Sequence, residues 1–88
     1  MDRFQEMHIF TTVAQEQGFS SAARRLGLSA ASVTRAVAAL ELRIGTQLLI
    51  RTTRSVHLSE AGQRYLEDCR RILAEVQEAE DSAAGSHA

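Results

Sequence analysis

Residues 20–38 constrain the fold more than any other stretch, because a glycine separates two short helical patterns there. The first pattern covers residues 20–26, and the second continues over residues 30–44. Gly27 stands where the first helix must end, and glycine adopts the required left-handed conformation at low cost. Ser29 suits the N-cap of the second helix, since its hydroxyl can accept hydrogen bonds from unpaired backbone N–H groups. A turn this short predicts two helices that cross steeply.

The crossing of these helices needs a small residue and an apolar plug. Ala23 lies four residues before Gly27, and Val33 lies six residues after it. A small residue, a glycine and a branched apolar residue at these intervals are typical of a helix-turn-helix unit. An ordinary helical hairpin would use the same glycine and serine, so the rest of the sequence must decide between them.

The second helix divides into a buried face and an outer face. Intervals of 4, 3 and 4 residues predict a buried stripe of Val33, Val37, Leu40 and Ile44. The outer face consists of Ala31, Thr34, Arg35 and Ala38. Small side chains let a helix approach the floor of a DNA groove closely. An arginine can form two hydrogen bonds with a guanine or bind a phosphate. A solvated face would be rich in Glu and Lys, and this one has neither before Glu41.

The distribution of charge favours a nucleic-acid contact, although the net charge of −1 does not. Residues 1–23 carry a net charge of −2, residues 24–58 carry +5, and residues 59–88 carry −4. All ten basic residues are arginines, which suit two-pronged contacts with phosphates and bases. The positive charge thus lies where an electrostatic footprint on a nucleic acid is needed.

Composition limits the other classes of function. The 88 residues allow one small domain, and the single cysteine gives neither a disulfide framework nor a metal cluster. The three histidines lie far apart without ligand spacing, and no apolar run approaches the roughly 20 residues of a membrane span. We found no nucleophile with a base and no phosphate loop, so an enzyme is not expected. A cytoplasmic protein without metal or membrane contact is expected.

The segment before the turn predicts a supporting helix over residues 2–17. Its apolar stripe consists of Phe4, Met7, Phe10, Val13 and Ala14. Gly18 is expected to end this helix, and Ser20 to cap the next one. Phe19, between them, is expected to pack beneath the two-helix unit.

A short hairpin is predicted after the second helix. Residues 50–52 and 56–58 can pair as two strands of the kind called a wing beside helix-turn-helix units. Arg54 at the tip would reach a phosphate or the adjacent minor groove, because narrow A·T-rich grooves attract arginine. The residues expected beside it are Arg51 and Thr52. A surface loop with solvated arginines is the alternative.

Ser59 is the predicted N-cap of a last helix with a heptad-spaced apolar seam. A helix this long should project beyond the small domain, so part of the seam requires a partner, most simply the same helix of a second chain. The predicted dimerisation residues are Tyr65, Leu66, Cys69, Ile72, Leu73, Val76 and Ala79.

The chain from Phe4 to Gly62 resembles the N-terminal DNA-binding domain of the LysR-type transcriptional regulators. The matching pieces are ALE at 39–41, IG at 44–45, RTTR at 51–54 and LSEAG at 58–62. The resemblance implies a mainly α fold: a winged helix-turn-helix of three helices and a two-stranded wing, followed by a long dimerisation helix. The implied units are the DNA-binding domain at 1–59, the linker helix at 60–82 and the start of a flexible hinge at 83–88.

The resemblance also implies a function. The chain would be a fragment of a transcription regulator and would bind an interrupted palindrome in double-stranded DNA sequence-specifically as a homodimer. The recognition helix would enter the major groove and the wing the minor groove, with Thr34, Arg35 and Arg54 carried over as contacts. Family members continue into an effector domain, so a small-molecule effector is implied for that absent domain and no cofactor for this fragment. A tetramer of the full-length protein is left open.

Twelve residues form the predicted DNA-binding set: Ser20, Ser21, Ser29, Ala30, Ala31, Ser32, Thr34, Arg35, Ala38, Arg51, Thr52 and Arg54. Many family members have Gln-Pro where this chain has Ala30-Ala31, so the amide that could read an adenine is missing. The competing hypothesis is a dimerising protein-interaction module, which the net negative charge favours. A salt titration distinguishes these two hypotheses, because the affinity of a protein for DNA phosphates falls steeply as the salt concentration rises.

Overall fold

The computed structural model describes residues 1–85, which form four helices and a two-stranded sheet. The elements in chain order are α1 (Arg3–Glu16), α2 (Phe19–Leu26), α3 (Ala30–Ile44), β1 (Leu49–Arg51), β2 (Val56–Leu58) and α4 (Glu60–Ala83). Helix α1 packs against α2, α3 and α4, so it forms the centre of the core. The predicted fold, a winged helix-turn-helix followed by a long helix, is confirmed.

Helix α1 begins with a reciprocal capping box. The Asp2 carboxylate accepts a hydrogen bond from Gln5 N at 2.8 Å, and Gln5 Oε1 accepts one from Asp2 N at 3.2 Å. The predicted apolar stripe is wrong at one position, because Phe4 is 52% exposed and Ile9 is buried instead. Three helices and strand β2 contact α1, so its buried surface is wider than the single stripe that the spacing predicts.

The junction between α1 and α2 differs from the prediction. Gln17 takes the left-handed conformation at the end of α1, with φ of 56°, whereas Gly18 is extended with φ of −175°. Gly18 is the N-cap of α2, so Ser20 is not its cap. Helix α2 starts one residue earlier than predicted, and this start places Phe19 in the core, as expected.

The turn between α2 and α3 agrees with the prediction in detail. Gly27 is left-handed with φ of 69°, and Leu28 N donates to Ala23 O at 3.0 Å. Ser29 caps α3, because its hydroxyl accepts a hydrogen bond from Ser32 N at 3.0 Å. Val33, which was predicted to plug the crossing, is fully buried.

Helix α3 is buried along Val33, Ala36, Val37 and Leu40. Ile44 was predicted to belong to this stripe but is 40% exposed, because it is the last residue of α3 and lies beyond the covered turns. The buried carboxylate of Glu6 on α1 forms a salt bridge with Arg43, which joins α1 to the last turn of α3.

Strands β1 and β2 form an antiparallel pair in which Ile50 lies opposite His57. Strand β1 starts and ends one residue earlier than predicted, and β2 has its predicted bounds. Leu48 and Leu49 are buried beneath the hairpin and attach its base to the core. The tip extends away from this base and is exposed.

Helix α4 is 24 residues long, which corresponds to about 36 Å. Ser59 caps it as predicted: its hydroxyl accepts a hydrogen bond from Gly62 N at 2.9 Å and donates one to Gln47 O at 2.7 Å. The helix extends to Ala83, so the predicted hinge at 83–88 begins inside it, and residues 86–88 lie outside the described residues. No helix within residues 1–85 has both the length and the apolarity to cross a membrane.

Candidate nucleic-acid interface

The outer face of α3 presents small side chains around one arginine. Ala30, Ala31, Arg35 and Ala38 are exposed, and Thr34 is half-buried. Arg35 leans toward the N-terminus of α3, where its Nη2 donates to Ser32 Oγ at 3.4 Å. Ser32 Oγ also shares a 2.8 Å hydrogen bond with Ser29 Oγ. A short polar chain therefore links the N-cap of α3 to the predicted base-reading arginine.

The N-terminus of α2 offers a second set of polar groups. Gly18 has no side chain that could cap this helix end, and the partial positive charge of a helix N-terminus attracts anions such as phosphate. Ser20 is exposed, and Ser21 Oγ accepts a hydrogen bond from Arg24 Nη2 at 3.3 Å. Arg24 is exposed beside this end, yet the predicted set omits it. Its three-residue spacing from Ser21 was the available signal.

The tip of the wing is a turn that the Thr52 hydroxyl organises. Thr52 Oγ1 accepts hydrogen bonds from Arg54 N at 3.3 Å and Ser55 N at 3.0 Å. The backbone N–H of Thr52 donates to Ser55 O at 2.9 Å and closes the turn. The Arg54 side chain is exposed at this tip, as predicted. The Thr52 hydroxyl holds the shape of the turn in addition to its predicted role as a phosphate contact.

Arg51 differs from Arg54 because it contacts the body of the domain. Its guanidinium lies 4.0 Å from the centroid of the Phe19 ring, in a cation–π contact that joins β1 to the start of α2. Arg51 was predicted to lie on the DNA beside Arg54. The structure gives it a contact that the sequence did not reveal, because Phe19 and Arg51 are 32 positions apart.

The apolar seam of α4 is divided between the core and solvent. Leu66 and Cys69 are buried in the domain's own core, and the Tyr65 ring lies 5.4 Å from that of Phe10 on α1. Burial raises the pKa of Tyr65 to about 12, with a further contribution from the neighbouring Cys69. Burial also raises the pKa of the Cys69 thiol.

The predicted dimerisation residues therefore differ in how much surface they leave open to a partner. Leu66 and Cys69 are buried in the core of the single chain, so they offer little surface to a partner, and their role in a dimer stays a prediction. Tyr65, Ile72 and Leu73 are half-buried against that core. The part of the seam that stays exposed consists of Val76 and Ala79.

The side chains of the types that bind metal ions are dispersed over the part of the chain that the structure describes. Within residues 1–85 no three His, Cys, Asp or Glu side chains come together as a metal site would need. The cation-bearing groups at the candidate interface are arginines on α2, α3 and the wing. The chemistry that this surface offers is thus hydrogen bonding and positive charge directed at an anionic partner.

Comparisons with known proteins agree with this geometry. The family described as "bacterial regulatory helix-turn-helix protein, lysR family" matches residues 4–63. The chain is similar to the transcriptional activator AaeR of Escherichia coli K12, with 42% identity over 78 residues. It is also similar to a transcriptional regulator of Xanthomonas campestris pv. campestris, with 49% identity over 77 residues. These alignments cover 89% and 88% of the chain but only 25% and 22% of the relatives.

Solved structures give the same assignment. The DNA-binding domain of CbnR in complex with DNA matches with a TM-score of 0.90 and 36% identity, and the match covers 98% of both chains. The BenM DNA-binding domain on the catB site 1 DNA matches with a TM-score of 0.91 and 26% identity, over 96% of this chain and 92% of that one. Fold, sequence and motif order lead to one conclusion. This chain belongs to the LysR family of bacterial regulatory helix-turn-helix proteins.

Proposed function

We propose that this chain binds double-stranded DNA sequence-specifically as the DNA-binding part of a transcription regulator. The observation that carries the proposal is the outer face of α3, where exposed alanines surround Arg35 and leave room for a groove floor. Arg35 and Thr34 then read base edges in the major groove, and Ala30, Ala31 and Ala38 permit the close approach. The DNA complexes of CbnR and BenM support this assignment by likeness of fold.

Phosphate contacts would surround this reading face. The exposed hydroxyls of Ser20 and Ser29 mark the N-termini of α2 and α3, where unpaired N–H groups favour an anion. Ser21 and Ser32 remain proposed contacts, because a hydroxyl that accepts hydrogen bonds can still donate one to a phosphate. Thr52 also remains a proposed contact, and there its hydroxyl would have to exchange the hydrogen bond that it donates to Ser55 O at 3.3 Å for one to a phosphate. Such contacts fix the position of a protein on the duplex but carry no sequence information.

The homodimer belongs to the same proposal, and the charge pattern of α4 supports an antiparallel pair. Residues 60–71 contain three arginines and three acids, whereas residues 75–81 contain four acids and no base. An antiparallel pair that crosses near Ile72 brings the acidic half of each helix toward the arginines of the other, and a parallel partner would oppose acid to acid. Val76 and Ala79 supply the exposed apolar contact, with Ile72 and Leu73 at its inner edge.

The role of the full-length protein is a further step of the proposal. The chain spans about a quarter of the length of the relatives it matches, so an effector domain with its small molecule would lie outside it. A DNA-binding regulator of this kind performs no catalysis. It would meet chromosomal DNA in the cytoplasm, and it binds an interrupted palindrome because a two-fold dimer presents two equivalent recognition helices.

The protein-interaction module remains the competing function, and a salt titration separates the two. Binding to a duplex that carries the operator should weaken linearly on a logarithmic scale as salt rises, because each neutralised phosphate releases condensed counterions. A duplex bound with no dependence on salt, or not bound at all, would favour the protein-interaction module.

Arg35→Ala is expected to weaken binding to the cognate duplex by about 1–3 kcal/mol, because a two-pronged contact with a base is lost. Binding to a scrambled duplex should change far less. The measurement is a titration of wild type and variant against both duplexes at one salt concentration. Equal losses on the two duplexes would show that Arg35 contacts only phosphate.

Arg54→Ala is expected to weaken binding about tenfold when the flanks are A·T-rich, since a hydrogen bond to a charged group contributes about 1.5–3 kcal/mol. The loss should shrink when the flanks are changed to G·C pairs, whose minor groove is wider and less negative. Titration of both proteins on both duplexes measures this difference. A wild-type protein that is indifferent to the flanks would rule out insertion of Arg54 into the minor groove.

A further inference from the structure

Glu41 joins the last turn of α3 to the first residues of the wing. Its Oε2 accepts hydrogen bonds from Leu48 N at 2.7 Å and from Leu49 N at 3.1 Å. Its backbone carbonyl accepts two more, from Gly45 N at 2.8 Å and Thr46 N at 3.2 Å. One residue therefore ends the helix with its main chain and starts the hairpin with its side chain.

The position of Glu41 is electrostatically unfavourable for an unpaired acid. The net charge of +5 over residues 24–58 would favour this single acid, but its place within the helix does not. Glu41 lies in the last turn of α3, where the partial negative charge of the helix end opposes a carboxylate. It also belongs to the helix that would approach the phosphates. A carboxylate at this place needs a compensating contact, and the N–H groups of Leu48 and Leu49 provide one.

The two N–H groups need the carboxylate just as much. Leu48 and Leu49 are 1% and 3% exposed, so water cannot replace a lost partner. A buried N–H without an acceptor is strongly disfavoured, and hydrogen bonds to an ionised acceptor are about twice as strong as neutral ones. The pair of bonds thus fixes where β1 begins relative to the end of α3.

We propose that Glu41 is a positioning residue that sets the placement of the wing relative to the recognition helix. Through β1 it determines how far Arg54 lies from Arg35, and thus which minor-groove position the wing reaches when α3 occupies the major groove. The inference rests on the proposed function, because it assigns a role within the same DNA contact. Arg51 on Phe19 and the buried Leu48 and Leu49 side chains also hold the hairpin, so loss of the carboxylate shifts the wing and does not detach it.

The test is a pair of double-mutant cycles on the cognate duplex with A·T-rich flanks. Arg54→Ala and Arg35→Ala are each measured in the wild-type, Glu41→Gln and Glu41→Ala backgrounds. In the wild type Arg54→Ala should lower affinity about tenfold, and in Glu41→Ala at most about threefold, because a displaced wing makes little contact to lose. The effect of Arg35→Ala should be the same in all three backgrounds, since α3 keeps its own packing.

Glu41→Gln distinguishes a displaced wing from an unfolded domain, because it changes the charge of the side chain and keeps its shape. The amide keeps the length of the side chain and one neutral acceptor, so an intermediate coupling to Arg54 is expected. Amide hydrogen exchange at Leu48 and Leu49 gives a readout without DNA, and protection there should fall in both variants while protection within α1 is kept. Glu67→Gln, which removes an exposed acid on α4, serves as the control and should change neither readout.

Three results would overturn the inference, and they are distinguishable from one another. If Arg54→Ala lowers affinity by the same factor in every Glu41 background, the wing is placed without the carboxylate and the positioning role is wrong. If Arg54→Ala has no effect in the wild-type background, the wing contact of the proposed function fails and the inference fails with it. If Glu41→Gln reduces the affinity changes caused by Arg35→Ala and by Arg54→Ala equally, the variant destabilises the whole domain and Glu41 does not position the wing.

Discussion

Gly62→Ala is expected to lower the stability of the domain by about 2–3 kcal/mol, as overpacking against a rigid neighbour does. A Cβ at this position would lie 2.0 Å from Leu48 O and 2.9 Å from Leu48 C, both backbone atoms. The carbonyl of Leu48 cannot move aside easily, because it accepts a 2.9 Å hydrogen bond from Ser59 N. The first turn of α4 therefore rests directly on the chain that leads into β1.

The sign of this prediction is opposite to that of helix propensity. Alanine is about 1 kcal/mol better than glycine inside a helix, so propensity alone predicts stabilisation at Gly62. Thermal unfolding decides between the two, and we expect the melting temperature to fall by about 10–20 °C. Gln63→Ala, at the exposed neighbouring position, is the control and should change stability by no more than about 0.5 kcal/mol. An unchanged or raised melting temperature in Gly62→Ala would contradict the close approach of α4 to Leu48.

The helix-turn-helix core was predictable because its signals are local. Gly27, Ser29 and Val33 each serve the role that spacing alone assigns them, and the left-handed turn, the N-cap and the buried plug all follow from neighbours in sequence. The junction of α1 and α2 was missed for the converse reason. A left-handed Gln17 beside an extended Gly18 is set by the need to bury Phe19, which depends on the packing of the whole domain.

Contacts between distant residues were not predictable from the sequence. Nothing near Glu41 indicates that its carboxylate binds the backbone seven and eight residues later, and nothing near Arg51 indicates a contact with Phe19. The sequence could not divide the apolar seam of α4 between core and dimer for a related reason. A heptad pattern is the same whether the domain itself or a second chain covers it. The structure assigns Leu66 and Cys69 to the domain, and the pattern could not.

Val76→Asp is expected to convert a dimer into a monomer whose winged domain remains folded. Val76 is 38% exposed and lies in the outer half of α4, so its replacement leaves the core unchanged. In a dimer the new carboxylate would be buried in the apolar contact without a partner, which is strongly unfavourable. Ile72→Asp is a poorer test, because Ile72 packs against the domain's own core and its loss would also disturb folding.

The consequence for DNA binding follows from geometry. A two-fold dimer places its two recognition helices in successive major grooves about 34–36 Å apart, and the second contact becomes intramolecular once the first has formed. Loss of the dimer removes this gain, which amounts to about 10²–10⁴-fold in affinity. The Val76→Asp protein should therefore bind a full palindrome little better than a single half-site.

Sedimentation of both proteins, with titrations of full and half sites, measures these expectations. Ala74→Asp is the matched control: it adds the same charge to α4 at an exposed position two residues away and off the seam, so it should leave both dimer and palindrome affinity intact. Circular dichroism should give the same helix content for all three proteins, because α4 keeps its own hydrogen bonds in a monomer. A monomeric wild type, or a Val76→Asp variant with full affinity for the palindrome, would show that the exposed seam of α4 does not form the dimer.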